Sequence, residues 1–233
     1  IKHNENIALL LIRPSIDPNN LYRELTILTW EKTNETSNNF IDLTEEKNVI
    51  RDKLIFGLSR KYDWGKKLRW ELQKKIESKD SQLITRNNAM RPPAAPLELL
   101  EHNSPSDTDI LQEYFIPTRN FINFSDEFVK ILEEDNVNVI SFTIRYVKPN
   151  NESLLSYAPT EESFAIIYYG NVKISEKELM KAENTQKKII DLAIKNNGTY
   201  YLTYNLFPTQ EQIRKAYPNV DFVFSKKKEY DPN

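Results

Sequence analysis

Residues 137–147 read VNVISFTIRYV, and from Ile140 onwards apolar and polar side chains alternate one by one. A period of two is typical of a β-strand that buries one face only. The apolar side carries Ile140, Phe142, Ile144 and Tyr146, and the polar side carries Ser141, Thr143 and Arg145. The stretch therefore predicts a half-buried strand with Thr143 and Arg145 on its polar face.

The residues before this strand predict another strand and a helix. Residues 110–116 are mostly apolar and the stretch stops at Pro117, which favours a strand that ends there. Phe128 and Leu132 then fall at helical spacing, and Asp126 lies near the expected start of that helix. The order up to residue 147 is therefore strand, helix, strand.

The residues after it repeat that order. A third strand is predicted at 164–169, and Ser175 with Glu178 has the spacing of a capping box at the start of a long helix. That helix should end near Gly198, before a fourth strand at 199–206. Strand, helix, strand, strand, helix, strand is the ferredoxin-like order. We expect an α+β domain whose antiparallel sheet has helices on one face and a binding surface or a cover on the other.

The first hundred residues predict a different arrangement. A strand is expected at 7–12, and 21–30 fits a strand or a helix equally well. Thr44 is the expected N-cap of one helix. A second helix is expected from Asp63 to Lys79, with an apolar stripe at Leu68, Leu72 and Ile76.

A proline-rich stretch at 87–96 separates these elements from the rest of the chain. We therefore expect two domains. Residues 1–104 form an N-terminal strand, a mainly helical subdomain and a linker, and residues 105–233 form the ferredoxin-like domain.

The composition excludes several classes of site. The chain of 233 residues has no cysteine and two histidines, so thiol catalysis and a Cys- or His-rich metal site are poorly supplied. Its 4 glycines lie far apart, and neither a P-loop nor a dinucleotide-binding loop can be built from them. A net charge of −2 argues against general nucleic-acid binding. We expect no metal site and no nucleic-acid partner.

The chain begins at Ile1 and has no signal-peptide pattern at its start. We expect it to be part of a longer, cytoplasmic protein, with a further domain upstream.

Four stretches together indicate a family. They are LQEYFIP at 111–117 with Arg119, FTIRYV at 142–147, the run 208–218 that ends in Ala-Tyr-Pro, and Tyr-Asp-Pro at 230–232. In order and spacing, residues 109–233 resemble the C-terminal substrate domain of FAD-linked oxidases and dehydrogenases. Its members include the aldonolactone and alditol oxidases and bacterial FAD/FMN-containing dehydrogenases.

The resemblance implies a function and two partners. In that family a separate N-terminal domain holds FAD, the substrate domain covers the flavin ring, and a small-molecule substrate lies between them. The expected activity is that of an FAD-dependent oxidoreductase that passes a hydride from an alcohol to the flavin, with this fragment inactive alone. The scarcity of glycine agrees with phosphate-binding loops on the other domain.

The resemblance also assigns candidate site residues. Arg145 matches an arginine of the family and is expected to act in catalysis and to contact the flavin. Thr143 stands where polyol-oxidising members have Glu, and Tyr201 and Tyr204 stand where they have His and Lys. These departures favour a bulkier, less polar alcohol, or a loss of substrate-processing power. The candidates are Arg145, Tyr201 and Tyr204 for catalysis, and Gln112, Tyr114, Thr143 and Ile167 for substrate binding. Gln112 and Tyr114 share one face of their strand and Glu113 and Phe115 share the other, and without the register the sequence leaves open which pair faces the flavin.

An alternative from another class rests on residues 60–79. This segment contains eight Lys and Arg residues together with Trp64 and Trp70. A basic amphipathic helix can bind an anionic partner or a membrane surface. The other interpretation is a solvated helix face with both tryptophans packed inward. The alternative protein is a non-catalytic ferredoxin-like binding module whose basic helix contacts an anionic partner or a membrane surface. For the oxidoreductase too, Arg60–Lys79 is the segment through which a peripheral contact with the inner face of the membrane is expected.

Overall fold

The computed structural model describes residues 5–35, 43–78, 83–91 and 105–232, in two compact units. The N-terminal unit spans Ile1–Pro105 and the C-terminal unit spans Ser106–Asn233. The described elements of the N-terminal unit are β1 (Ile7–Pro14), β2 (Leu25–Glu31), α1 (Val49–Lys61), α2 (Asp63–Glu77) and α3 (Arg86–Met90). Those of the C-terminal unit are β3 (Asp107–Pro117), α4 (Phe121–Glu134), β4 (Val139–Val147), β5 (Ser163–Lys173), α5 (Glu176–Lys195), β6 (Thr199–Tyr200), α6 (Gln210–Ala216) and α7 (Val220–Tyr230).

The strands of the C-terminal unit lie in the order β4-β5-β3-β6, and each neighbouring pair is antiparallel. With α4 between β3 and β4 and α5 between β5 and β6, this is the ferredoxin-like topology. The predicted α+β fold class is confirmed. The order of strands places β3 and β5, the two longest strands of this unit, at the centre of its sheet.

The core of the C-terminal unit lies between this sheet and the helices α4 and α5. Tyr114 of β3 is fully buried, with its ring against the rings of Phe124 and Phe128 of α4. Tyr168 of β5 is buried on the same side, next to Phe128 and hydrogen-bonded by Gln186 of α5. The two helices therefore cover one face of the sheet; the opposite face is called the distal face below.

Helix α4 begins five residues earlier than the sequence predicted. A single 3₁₀ turn at Thr118–Asn120 follows β3 directly and leads into the helix at Phe121. Asp126 therefore lies inside α4 rather than near its start. The apolar repeat begins with Phe121, whose ring packs on Phe164 of β5, and with the buried Phe124, and these contacts extend the helix towards its N-terminus.

The predicted long helix is confirmed, with one difference in its capping. Ser175 accepts a hydrogen bond from the Glu178 N–H, but the reciprocal half of the predicted capping box is not formed. Helix α5 ends at Lys195, and Asn197 takes the left-handed conformation, with φ 58°. At α6, Thr209 and Gln212 form a complete capping box.

The predicted fourth strand at 199–206 is wrong beyond its second residue. Only Thr199–Tyr200 pairs with β3 in the ladder. The Tyr201 N–H donates to the Glu113 carbonyl. Further along the chain, the Asn205 side-chain amide donates to the Leu111 carbonyl. A side chain thus satisfies an acceptor that a longer strand would use, so the backbone is free to turn away.

In the N-terminal unit, β1 and β2 form an antiparallel hairpin, which shows that the ambiguous stretch 21–30 becomes a strand from Leu25. Helix α1 begins at Val49 after a left-handed Asn48, and the predicted cap Thr44 donates its N–H to Asn88 instead. Residues 87–90 of the proline-rich stretch are helical in α3, and residues 92–96 lie outside the described residues.

The predicted apolar stripe of α2 is wrong. Leu68 is 40% exposed and Ile76 is 52% exposed, whereas Trp70 and Gly65 are buried. Trp70 turns inward because its indole N–H donates to Glu24 at 2.6 Å, beside the hairpin. Helix α2 ends at Glu77 with Ser78 as its C-cap, and Lys79, near which the sequence predicted its end, lies outside the described residues.

Two glycines of the N-terminal unit provide a matched test of its packing. A Cβ at Gly65 would lie 2.4 Å from the Leu58 carbonyl oxygen, because α1 and α2 meet there backbone to backbone. A Cβ at Gly57, in the interior of α1, would meet nothing within 4 Å. Gly65→Ala should therefore destabilise this unit by about 1–3 kcal/mol. Gly57→Ala should stabilise it by up to about 1 kcal/mol, since alanine favours a helix.

Amide hydrogen exchange in α1 and α2 measures both effects within the same unit. Equal protection in the two variants would contradict the close approach of the helices at Gly65.

Candidate functional site

The distal face of the sheet brings together residues from three strands in neighbouring rows. One row consists of Glu113 of β3, Ile167 of β5 and Thr143 of β4, which are direct cross-strand partners. The next row along the strands consists of Phe115, Ala165 and Arg145. Because direct partners in an antiparallel sheet project to the same side, these six side chains share one face.

Tyr201 and Tyr204 join this face from the segment after β6. The Tyr201 N–H donates to the Glu113 carbonyl at 2.9 Å, which holds the segment against β3. The Tyr204 hydroxyl lies 3.5 Å from Glu113 Oε2 as a long hydrogen bond, and the rings of Tyr201 and Tyr204 pack edge to face at 4.9 Å. The early end of β6 is what lets Tyr204 reach across to a residue of β3.

Aromatic rings border the polar groups on one side. Phe115 stacks on Tyr157 with 4.1 Å between ring centroids, and Tyr201 lies 6.3 Å from Phe115 and 6.5 Å from Tyr157. The Thr199 hydroxyl donates to the Tyr157 carbonyl at 2.6 Å and fixes the loop that carries this ring. The result is a small polar cluster against a wall of packed rings.

The electrostatics of the cluster depend on Glu113, which is only 9% exposed. Burial raises the pKa of the Glu113 carboxyl, while the charge of Arg145 and the hydrogen bond from Tyr204 lower it. The pKa of Tyr204 is raised by burial first and by the negative charge of Glu113 second. Tyr204 is therefore a protonated phenol at neutral pH, and it acts here as a hydrogen-bond donor rather than as a base.

Arg145 presents a cation on the same face. Its side chain is exposed, and among the described residues it forms no hydrogen bond and no ion pair within 4 Å. Its interaction with Glu113 is a longer-range attraction. A guanidinium in this state keeps all its donors available for an anionic or polar ligand.

Gln112 and Tyr114, two of the predicted substrate-binding residues, lie on the helix-covered face. The Tyr114 hydroxyl donates to Gln186 Oε1 at 2.7 Å inside the core, and Gln112 is buried beside it in the same strand. Strand alternation separates both side chains from Thr143 and Arg145. The structure thus brings together five of the seven predicted residues, namely Arg145, Thr143, Ile167, Tyr201 and Tyr204.

Glu113, which the sequence left as the alternative to Gln112 and Tyr114, lies at the centre of this polar cluster. It stands between Gln112 and Tyr114, and the same alternation that removes those two from the distal face places Glu113 on it. A carboxylate in the middle of a mostly apolar strand is a signal of function that the sequence offers. Which face of the sheet this carboxylate occupies could be assigned only from the pairing register.

The basic segment 60–79 is partly engaged within its own unit. Lys66 is buried against Asp63, and Lys74 pairs with Glu24 and Glu71. Burial, with repulsion from Arg13, lowers the pKa of Arg69 to about 10, and its guanidinium lies 4.6 Å from the centre of the Phe56 ring.

The two tryptophans of this segment differ, since Trp70 is buried and Trp64 is 57% exposed. In the part of the chain that the structure describes, no helix combines the length and apolar character needed to cross a bilayer.

The distal face fits the ring end of a flavin better than its phosphate end. It offers an apolar side chain, Ile167, and a cation, Arg145, that could hold the negatively charged reduced ring. A flavin's phosphates need backbone donors at a glycine-rich turn. None of the 4 glycines of the chain forms such a turn at this face. Gly170 lies in β5 opposite Ile110, on the side that the helices cover.

A search of protein-family models and of curated protein sequences finds no match to this chain. Within the described ranges, no three His, Cys, Asp or Glu side chains cluster closely enough to hold a metal ion.

Proposed function

We propose that the C-terminal unit is the substrate-binding domain of an FAD-dependent oxidoreductase that oxidises an alcohol. The distal face is the wall of the site, and its own FAD-binding domain is the partner that completes it. The proposal rests on the resemblance of residues 109–233 to that family and on one observation of geometry. Arg145, Thr143, Ile167, Tyr201 and Tyr204, which the resemblance selected from separate segments, share a single face with Glu113.

Each side chain has a definite part in binding the substrate. Tyr204, whose raised pKa keeps its phenol protonated, donates to Glu113 and so fixes that carboxyl group beside the substrate. Arg145 orients a substrate oxygen and stabilises negative charge that develops next to it. Ile167 and the rings of Phe115 and Tyr201 exclude water and contact the apolar part of the substrate.

This lining suits an alcohol with a ring or another apolar body better than a polyol. Around Arg145 the face offers aromatic side chains and the Glu113 carboxyl group, and few groups to pair with a chain of hydroxyls. When FAD is bound, it supplies the hydride acceptor, and the chemistry of hydride transfer belongs to it.

The test is the visible absorption spectrum of the protein expressed from its complete reading frame. We expect a flavin spectrum that bleaches anaerobically with some members of a panel of alcohols, and with ring-bearing alcohols before polyols. A colourless, folded protein that takes up no added FAD would contradict the proposal. If such a protein bound anionic vesicles in a salt-sensitive way, membrane binding by residues 60–79 would replace it.

A further inference from the structure

We propose that Glu113 is the residue that takes the proton from the substrate hydroxyl, and that Tyr204 and Arg145 are the positioning residues that control it. This inference rests on the proposed function of the distal face. It gives the proton transfer to a carboxyl group, whereas the resemblance made Tyr201 and Tyr204 candidates for catalysis beside Arg145.

The position of Glu113 supports this role. The side chain lies in the middle of a central strand, in the same row as Ile167 and Thr143, which line the proposed site. It is 9% exposed, so that the carboxyl group is shielded but still reachable from the distal face. Its Oε2 is held by the Tyr204 hydroxyl at 3.5 Å, which leaves the second carboxylate oxygen for a ligand.

A merely structural carboxylate in such a place would be fully paired. Buried ionised groups are normally compensated by close ion pairs or several hydrogen bonds. Within the described residues, Glu113 has one long side-chain hydrogen bond, from Tyr204, and no ion pair within 4 Å. An under-compensated acid at the centre of a candidate site is typical of a proton-transfer residue.

The O–H bond of the substrate breaks, and its proton goes to a Glu113 oxygen. The electron pair of that bond forms the second carbon–oxygen bond of the product. The hydrogen on the carbinol carbon departs with its electron pair, and the flavin of the proposed complex is the oxidant. Glu113 then returns the proton to water.

The groups that face Glu113 determine the sign of the pH dependence. They are Arg145 from β4, Tyr201 and Tyr204 from the segment after β6, and Tyr217 before α7. Asp109 and Tyr169, further along the distal face, are hydrogen-bonded to each other. Since burial raises the pKa of Glu113, the carboxylate that accepts the proton is lost as the pH falls through that raised value. Removing Arg145 or Tyr204 should raise the pKa further.

A carboxyl ¹³C NMR titration of the 233-residue chain tests the control of Glu113 without any flavin. The signal is assigned with Glu113→Gln. We expect a midpoint above the ordinary glutamate value of about 4.3. It should move upward in Arg145→Met and in Tyr204→Phe. Arg119→Met is the matched control, because Arg119 pairs with Glu161 on the surface and should not affect Glu113. An ordinary midpoint that none of these variants moves would overturn the proposal.

The same variants are then measured in the flavin-loaded protein from the complete reading frame. We expect Glu113→Gln to bind flavin normally, to reduce it about 10²–10⁴-fold more slowly, and to lose the low-pH limb of the rate profile. If Glu113→Gln keeps the rate and that limb, Glu113 is not the proton acceptor, while the proposed oxidoreductase stands. A complete protein that binds no flavin would overturn the proposed function, and this inference with it.

Discussion

Phe128→Ala should lower the unfolding free energy of the C-terminal unit by about 3–5 kcal/mol. Phe128 is fully buried in α4, and its ring lies within 6.2 Å of the rings of Tyr114, Phe142 and Tyr168. Removing it would open a cavity between the helix and the two central strands. The surrounding rings are held by cross-strand pairing and cannot collapse into that space.

Ile122→Ala is the matched control for this prediction. Ile122 belongs to the same helix but is 67% exposed, so its truncation should change stability by less than about 0.5 kcal/mol. Hydrogen exchange of the β3 and β5 amides measures the stability of the C-terminal unit separately from that of the N-terminal unit. Equal losses of protection in the two variants would mean that α4 does not present Phe128 to the sheet.

Arg145→Ala, in the protein from the complete reading frame, should lower kcat/KM for an accepted alcohol by about 10²–10³-fold. The physical reason is the loss of a fully available guanidinium on the distal face, where negative charge is proposed to develop. Arg145→Lys should recover part of the loss, since it restores the charge without the planar fork of donors. The rate of anaerobic flavin bleaching measures both.

Arg119→Ala separates this effect from a general change of charge. It removes an arginine of the same unit that already pairs with Glu161 at 2.9 Å, and we expect no change in flavin reduction. Unchanged kinetics of Arg145→Ala with every accepted substrate would remove Arg145 from the site. In that case the distal face would need another cation to fit a reduced flavin.

The elements of the C-terminal unit could be predicted in order, because each has a strong local signal. Pro117 ends β3, Thr209 and Gln212 cap α6, and Asn197 ends α5 in a left-handed turn. Boundaries were less predictable where a tertiary contact decides them. The helix α4 gains its first turn from the packing of Phe121 on Phe164, and β6 stops because the Asn205 side chain replaces a backbone donor.

The N-terminal unit was harder to predict because its helices are not evenly amphipathic. Leu68 and Ile76 have helical spacing, and yet both are exposed. Trp70 decides which side of α2 is buried, through its hydrogen bond to Glu24 on the hairpin connection. A partner 46 positions earlier in the chain leaves no local pattern.

The alternation along 137–147 alone determined that Thr143 and Arg145 share a face of β4, because side chains of any strand alternate with a period of two. The identity of their neighbours is a property of the tertiary structure. Hydrogen-bond register sets Glu113 opposite Ile167 and Ile167 opposite Thr143, and the packing of α4 and α5 decides which face of β3 the helices cover. Since a shift of one residue exchanges the two faces of a strand, only the assembled sheet could place Glu113 in the site and Tyr114 in the core.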